Sequence, residues 1–143
     1  MVLAALAALV GTLLVGNELA VATFIHPSLW RIDDLSHRRV AREVATTLGR
    51  WAPPLYAAST LCIGAAAWLN HSTALWVAAG AWVLASVFSA VFPAPLNARI
   101  ATWDPENPPE DWQAMRHRWD RWHLGRTLWL LAAQALVMCA LIR

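Results

Sequence analysis

The chain has 143 residues, of which 59% are hydrophobic and 14% are charged, and its formal net charge is +2. Its length suits one domain, 1–143, and soluble domains usually carry about 25% charged residues. Residues 51–98 contain no Asp, Glu, Lys or Arg, so a soluble fold would have to hide the whole stretch. The basic residues are all arginines and are balanced locally by acids, which excludes a nucleic-acid-binding profile. We therefore predict an integral membrane protein.

Four segments are long and apolar enough to cross the hydrocarbon core of a bilayer, which takes about 20 helical residues. They are residues 2–25, 51–70, 73–92 and 124–142. Prolines set the predicted boundaries, because proline disfavours helical geometry in the residue before it. We expect the first span to end at His26-Pro27, the second to hold Pro53 and Pro54 in its first turn, and the third to end at Pro93 and Pro95.

The connections between the spans differ in length. His71 and Ser72 form a tight turn, so the second and third spans should pack as an antiparallel hairpin. The first connection contains residues 33–48, with an aspartate that can cap a helix and an apolar face at helical spacing. That face is Leu35, Val40, Val44 and Leu48. The third connection becomes helical from about Trp112 and should run unbroken into the fourth span. We predict an all-α integral membrane four-helix bundle with an amphipathic surface helix in its first connection.

The arginines predict the orientation in the membrane. All of them except Arg143 lie in or beside the first and third connections. The positive-inside rule then places both long connections in the cytoplasm and both termini outside, in the cytoplasmic (inner) membrane. The uncharged residues 1–15 lack the basic region of a signal peptide, so we expect a retained helix. An interfacial belt of tryptophans is expected on the cytoplasmic side, from Trp30, Trp51, Trp103, Trp112, Trp119 and Trp122.

Glu18 is the acidic residue inside an apolar span, beside Asn17. Ionisable groups at membrane depth are rare and mark function by default, and a carboxylate there needs a partner or a proton. The alternative is a structural lock between helices. His26 follows eight residues later, rotated by about 80° and moved by about 12 Å in an ideal helix, so the two should not touch. Alone, His26 fits an interfacial histidine in a turn.

Residues 112–129 are the densest in polar and aromatic groups. On a helix, Arg116, Trp119, His123 and Arg126 fall on one side, and His117 points away. We expect Asp120 to orient the imidazole of His123. The alternative is an interfacial collar, which accounts for Arg118, Arg121 and Trp122 but poorly for His123 and Arg126.

The predicted topology gathers polar residues at one end of the bundle. The first and third spans end on the cytoplasmic side, and the second and fourth begin there. The polar set in that half is Asn17, Glu18, His26, Tyr56, Asn97, His123 and Arg126. Asn97 could instead cap a turn. Such a concentration in an otherwise apolar bundle predicts a pocket.

Three motifs carry a resemblance to a known family. They are GNELAVATFIHPSLW in the first span, PLNARIATW after the third, and the run from Trp112 through WDRWHLGR before the fourth. The chain resembles the anthrone oxygenase-like membrane proteins over essentially its whole length. That family includes fungal members that oxidise anthrones to anthraquinones with dioxygen, so the resemblance implies an oxidoreductase of secondary metabolism. The motif positions are Asn17, Glu18, His26, Asn97, Trp119, His123 and Arg126.

Such chemistry needs a base, a group that stabilises an oxyanion and an apolar cavity. Glu18 or His123 is the candidate base, and Arg126 or Asn97 the candidate oxyanion partner. Asn17, Tyr56 and Trp119 are expected to contact a small aromatic, anthrone- or phenol-like substrate. Dioxygen is the expected co-substrate.

Two other classes stay open. The first is a membrane oxidase of another small molecule that depends on copper or iron. Glu18, His26 and His123 could bind copper, iron or zinc, although they lack a local spacing motif. A non-enzymatic transporter or an assembly partner is the other alternative, but a transporter should show polar groups along its whole path. Small-residue stripes at Ala4 and Ala8, and at Ala58, Cys62 and Ala66, fit self-association in the bilayer.

Overall fold

The computed structural model describes the backbone of residues 2–142 and the side chains of residues 5–140. Over this range the chain is helical, without strands. The helices are α1 (Val2–Ala20), α2 (His26–Leu29), α3 (Asp34–Asn70), α4 (Thr73–Val91), α5 (Pro93–Thr102) and α6 (Trp112–Ile142). A single π-helical turn, Val21–Ile25, joins α1 to α2.

Four helices in the described range are long and apolar enough to cross a membrane. They begin at Ala5, Asp34, Thr73 and Trp112. Helices α1, α3, α4 and α6 form a ring in which each packs against two neighbours, in the order α1, α3, α4, α6 and back to α1. Their inner faces meet in an apolar core that includes Leu14, Ile63, Ala78, Trp82 and Leu130. The predicted all-α membrane bundle of four helices is confirmed.

The first span does not end at His26-Pro27 as predicted. Helix α1 passes through the π turn, and α2 continues through Pro27 to Leu29. A proline inside a helix lacks an N–H donor and crowds the carbonyl four residues earlier, here that of Thr23. Thr23 lies inside the wider π turn, which relieves this crowding. The extra residue in the turn also changes which side chains face α6 beyond it.

The predicted surface helix and second span are one continuous helix, α3, with Pro53 and Pro54 inside it. The carbonyls that these prolines leave without a donor belong to Gly49 and Arg50, in an exposed stretch where other partners can reach them. The N-terminal half of α3 buries His37, Ala41 and Ala45. Val40, on the predicted apolar face, is exposed. This half packs against α5.

Pro93 does not end helical structure either, because it opens the ten-residue helix α5. Proline suits the first turn of a helix, whose N–H groups have no partner within the helix. Helix α5, the start of α6 and the first half of α3 enclose a second apolar core. That core consists of Ala41, Ala45, Leu96, Ile100, Trp103, Trp112, Met115 and Trp119. Three of the tryptophans assigned to an interfacial belt are therefore buried in a core, whereas Trp51 is exposed.

Several local predictions are confirmed. Asp33 caps α3 by accepting a hydrogen bond of 3.0 Å from the backbone N–H of Ser36. This N–H stabilises the carboxylate, so it lowers the pKa of Asp33 below its ordinary value. His71 ends α3 in the left-handed conformation at φ 47°, and Ser72 caps α4. Helix α6 runs unbroken from Trp112 through the fourth span.

The small-residue stripe on α3 serves the interior of the bundle. Ala66 is fully buried, and Cys62 packs against the main core. Ala58 is the one exposed member of that stripe. The side chain of Ala4 lies outside the described residues, while Ala8 packs against the core. Self-association stays a prediction without support from this stripe.

Candidate functional site

A buried ion pair joins α1 to α6 at the centre of the bundle. Nη2 of Arg126 donates to Oε2 of Glu18 at 2.5 Å. Nη1 of Arg126 donates to the hydroxyl of Ser89 on α4 at 3.3 Å. From α3, the hydroxyl of Tyr56 donates to Oε1 of Glu18 at 3.2 Å, and the guanidinium lies over the Tyr56 ring. All four ring helices therefore contribute one side chain each to this ion-pair cluster.

His123 contacts both members of the ion pair. Its Nε2 lies 3.1 Å from the backbone carbonyl oxygen of Glu18, which can only accept a hydrogen bond. Nε2 must therefore carry the proton in a neutral ring, which leaves Nδ1 as an acceptor 2.9 Å from Nη2 of Arg126. Trp119 stacks on the same imidazole with ring centroids 4.9 Å apart. His123 thus fixes both members of the pair.

The spacing of residues on α6 produces this arrangement. Arg116, Trp119, His123 and Arg126 are all buried on one face, and His117 is exposed on another, as predicted. The same face continues as Leu130, Ala133 and Val137 in the main core. Positions three or four apart share one helix face, so the apolar stripe that inserts α6 into the bundle also carries its polar groups there.

A cavity of about 870 Å³ adjoins the ion-pair cluster. Helices α3, α4 and α5 form most of its wall, and Glu18, Tyr56, Trp119 and Arg126 lie at its deep end together with Asn97. On α4 and α5 the wall repeats a small residue every fourth position, at Ser86, Ala90, Ala94 and Ala98. On α3 it includes Ala45, Gly49, Ala52 and Ala57. Because these side chains are short, the facing helices leave space between them.

Hydrogen-bonding groups at the deep end of the cavity lack partners. Within the part of the chain that the structure describes, Nε1 of Trp119 and Nε of Arg126 are buried donors without an acceptor. Oδ1 of Asn97 is a buried acceptor without a donor. Buried polar groups of native proteins are nearly always paired, with protein, water or a ligand. The residues that carry these three unpaired atoms all line the cavity.

The structure brings most of the predicted residues together, but not Asn17. Asn17 is exposed and does not line the cavity, because it follows Gly16 on the outer face of α1. Its predicted place in the pocket is wrong. Asn97 is not a turn cap: it lies within α5 and its Nδ2 donates to the backbone oxygen of Ala45 at 2.7 Å. That bond ties α5 to α3 beside the cavity.

His26 and Asp120 form a separate layer on the side of His123 that faces the start of α6. The rings of His26 and His123 lie edge to face with their centroids 4.8 Å apart. His26 therefore contacts His123, the residue that holds Glu18 in place. Asp120 does not orient His123 as predicted. It accepts from Nε1 of Trp30 at 2.8 Å and from Arg116 at 2.9 Å, and lies 3.5 Å from Nδ1 of His26. The π turn brings His26 into its reach.

Two of the three predicted metal ligands, Glu18 and His123, contact the guanidinium of Arg126. Nη2 of Arg126 contacts both Oε2 of Glu18 and Nδ1 of His123, and these two atoms themselves lie 3.2 Å apart. Among the residues described, no group of three or more His, Cys, Asp or Glu side chains is positioned to hold a metal ion. Binding of copper or iron at Glu18, His26 and His123 stays an untested prediction.

Sequence reasoning missed two features of the site. Ser89, which accepts from Arg126, sits in an apolar span as an ordinary small residue. The four-residue repeat of small side chains on α4 and α5 was readable in the sequence. The prediction that the third span ends at Pro93 divides this repeat between a span and a connection, which hides its periodicity.

The comparison with known families agrees with this geometry. The family described as anthrone oxygenase matches residues 42–136, well over half of the chain. The chain belongs to the anthrone oxygenase family. The matched segment holds Tyr56, Asn97, Trp119, His123 and Arg126, and it leaves out residues 1–41 with Asn17, Glu18 and His26. No curated protein and no solved structure matches the chain. The family thus indicates an oxygenase-like role, and the structure adds Glu18 to the residues around Arg126.

Proposed function

We propose that this anthrone oxygenase family member uses dioxygen to oxidise a small apolar aromatic molecule, anthrone- or phenol-like, in the cavity between α3, α4 and α5. The observation that carries the proposal is the set of unpartnered donors at the deep end, beside a carboxylate. Nε of Arg126 and Nε1 of Trp119 would donate to a substrate oxygen, and Glu18 lies against the same guanidinium. An anthrone has a carbonyl oxygen that the donors would bind and an acidic methylene that the carboxylate would deprotonate, so it matches both kinds of group.

Arg126 is the proposed oxyanion partner. Removing a methylene proton from an anthrone moves negative charge onto the carbonyl oxygen, and a buried cation stabilises that charge strongly in an apolar site. The guanidinium has five donors, of which three are engaged by Glu18, Ser89 and His123 through Nη1 and Nη2. Its free Nε–H can bind the substrate without breaking these contacts. Oδ1 of Asn97 would accept from a phenolic hydroxyl beside that oxygen.

Glu18 is the proposed base, as the one carboxylate among the described residues that line the cavity. It takes a proton from the methylene, and the resulting carbanion gives one electron to dioxygen. The two radicals join in a carbon–oxygen bond, and the peroxide takes the proton back from Glu18. Loss of water then breaks the oxygen–oxygen bond and leaves a second carbonyl. In sum, one methylene and one dioxygen yield one carbonyl and one water.

His123 is proposed to position the site rather than to touch the substrate. It does not line the cavity, and its two nitrogens hold the backbone of Glu18 and the guanidinium of Arg126. A reacting group must be held in its productive geometry for acid–base and oxyanion effects to be realised. Of the two candidate bases, Glu18 lines the cavity and His123 does not, so the proposal assigns the base to Glu18.

The experiment that tests the function measures oxygen consumption and anthraquinone formation from anthrone by the purified protein in lipid nanodiscs. Anthrone oxidises slowly in air, so the rates are compared with empty nanodiscs and with protein carrying Arg126→Ala. We expect the wild type to exceed both, with one dioxygen consumed per anthraquinone formed. A wild-type rate equal to that of empty nanodiscs would overturn the proposal and return the transporter and assembly-partner alternatives. Elemental analysis of the same preparation tests for copper or iron.

A further inference from the structure

The cavity reaches the surface of the bundle, where exposed residues of α3 and α4 line it. Its outer rim includes Leu61 on α3 and Val87 on α4, whose side chains are 72% and 55% exposed. Val83, one turn from Val87, is also exposed on the rim. These residues lie within the apolar segments that are long enough to cross a membrane. In a bilayer, this exposed rim faces acyl chains rather than water.

Polarity changes steeply from the rim to the deep end. The exposed part of the wall is apolar, with Leu61 and Val87 beside alanines such as Ala57, Ala90 and Ala94. At the far end the wall becomes polar, with Arg126 only 9% exposed. A ligand that fills this space must be apolar over most of its surface and must carry its oxygens on the edge that reaches Arg126. The cavity is also of the size that holds a small organic ligand, about 300–1,000 Å³.

We propose that the substrate enters from the bilayer, through the gap between α3 and α4, as a rigid fused-ring molecule whose oxygens lie along one edge. This inference deepens the proposed function and rests on it for the identity of the oxygen-bearing edge. A molecule of this kind partitions into the acyl-chain region, because burying apolar surface there is favourable by about 25 cal/mol per Å². It would then meet Leu61 and Val87 first, slide between the alanine walls, and present its oxygens to Trp119, Asn97 and Arg126.

The alternating small residues account for the shape of the passage. On α4 and α5, Ala90 and Ala94 follow each other at one helical turn, so no long side chain projects into the gap. Ala57 faces the same gap from α3. Two smooth helix faces admit a flat ring system, whereas a branched or bulky residue at the rim would close the gap.

The test compares two tryptophan variants on α4. Val87→Trp places a large side chain on the rim of the gap, and Leu84→Trp places the same side chain on a part of α4 that does not line the cavity. The two native residues are almost equally exposed, 55% and 57%, so lipid contact and folding should be affected alike. Thermal unfolding of each variant confirms that match. The probe is the dye alizarin, an anthraquinone with its hydroxyls and a carbonyl along one edge, dissolved in the lipid of nanodiscs.

Binding of alizarin is followed by its absorbance change in stopped flow, independently of any turnover. We expect Val87→Trp to slow association by about tenfold or more, within the range over which single substitutions change association rates, and Leu84→Trp to leave it unchanged. Equal rates for the two variants would overturn the route, and so would an absence of binding to the wild type. A phospholipid that stays bound in native mass spectrometry despite saturating alizarin would make the gap a lipid site. Binding with this pattern but without anthrone oxidation would keep the route and overturn the oxygenase.

Discussion

At the scale of single residues, the site depends on one cation held inside an apolar bundle. Removing Arg126 from water is costly, and the cost is offset by Glu18, Ser89 and Nδ1 of His123. Glu18 and His123 are themselves polar groups that would be costly to bury without a partner. The network therefore fixes the orientation of Arg126 and leaves its Nε–H without an acceptor among the described residues.

We predict that His123→Ala and Arg126→Ala each lower turnover by about a hundredfold or more, the scale for losing a positioned acid–base or oxyanion group. His117→Ala is the matched control, because His117 is exposed on another face of α6 and stacks on Trp30 instead. Its turnover should stay near that of the wild type. Steady-state oxygen consumption with anthrone measures all three.

A structural role of His123 can be separated from a positioning role by His123→Asn. The amide restores an acceptor near Arg126, so part of the lost kcat should return while KM stays close to that of His123→Ala. Equal loss in all three alanine variants, or loss in none, would show that the buried face of α6 is not the site. Failure of the asparagine variant to regain activity would contradict the acceptor role of Nδ1.

We predict that Glu18→Gln abolishes anthrone oxidation but leaves the bundle folded. The amide cannot take a proton from the substrate, whereas Arg126 keeps Ser89 and His123 as acceptors, and Tyr56 keeps an oxygen to bind. Turnover and alizarin binding are measured on the same preparation. Retained alizarin binding together with lost turnover would fit a role of Glu18 as the base. Full activity, or a protein that fails to accumulate in the membrane, would return Glu18 to a structural lock between helices.

At the scale of the elements, the packing of α1 against α6 depends on a close approach at Gly11. The Nε2 group of Gln134 donates to the backbone oxygen of Ala8 and to the hydroxyl of Thr12, at 3.0 Å and 3.2 Å. A Cβ added at Gly11 would lie 2.3 Å from Oε1 of Gln134. The glycine therefore gives the amide room to bridge the two helices.

We predict that Gly11→Ala destabilises the bundle by about 1–3 kcal/mol, the usual cost of overpacking, because Gln134 must move and lose its bonds to α1. Gly16→Ala is the control on the same helix, since nothing lies within 4 Å of its added Cβ. Alanine favours the helix at that position by up to about 1 kcal/mol. Thermal unfolding in detergent should thus separate the two variants in opposite directions. A Gly11→Ala protein as stable as the wild type would contradict the close approach.

At the scale of the whole molecule, the chain combines a membrane bundle with a second core beyond it. The first half of α3, helix α5 and the start of α6 enclose buried tryptophans, and Arg38 and Arg39 bind the connection before α6 through Pro105 and Glu106. We propose that this part lies in the cytoplasm, because the arginines concentrate there. Asn97 links it to the cavity through its bond to Ala45.

The predicted topology can be tested in single-cysteine variants that lack Cys62 and Cys139. A membrane-impermeant maleimide added to intact cells should label a cysteine at His71 or after Arg143, on the proposed outer side. It should not label one at Ser36 or Glu106, because both lie on the arginine-rich side. Permeabilised cells provide the control, in which all four positions should react. Labelling of Ser36 or Glu106 in intact cells would contradict the orientation.

The sequence by itself determined the class of the protein and much of its site. Apolar runs of about 20 residues can be satisfied only by helices in lipid, so the four spans and the hairpin turn at His71 followed from local chemistry. The face of α6 was also readable, because helical periodicity alone places Trp119, His123 and Arg126 together. Glu18 stood out because a carboxylate in an apolar span needs a partner.

Only the tertiary structure decided how those pieces meet. Local rules predicted helix boundaries at Pro27, Pro53 and Pro93. In the structure a π turn accommodates Pro27, exposed carbonyls accommodate Pro53, and Pro93 begins a new helix. The register after the π turn brings His26 onto His123, while Asn17, which precedes that turn, lies on the exposed face of α1. The cavity between α3 and α4 arises from the absence of side-chain bulk on two facing helices. Such a gap exists only once the helices are paired, because packing between distant segments, not local propensity, determines which small residues face each other.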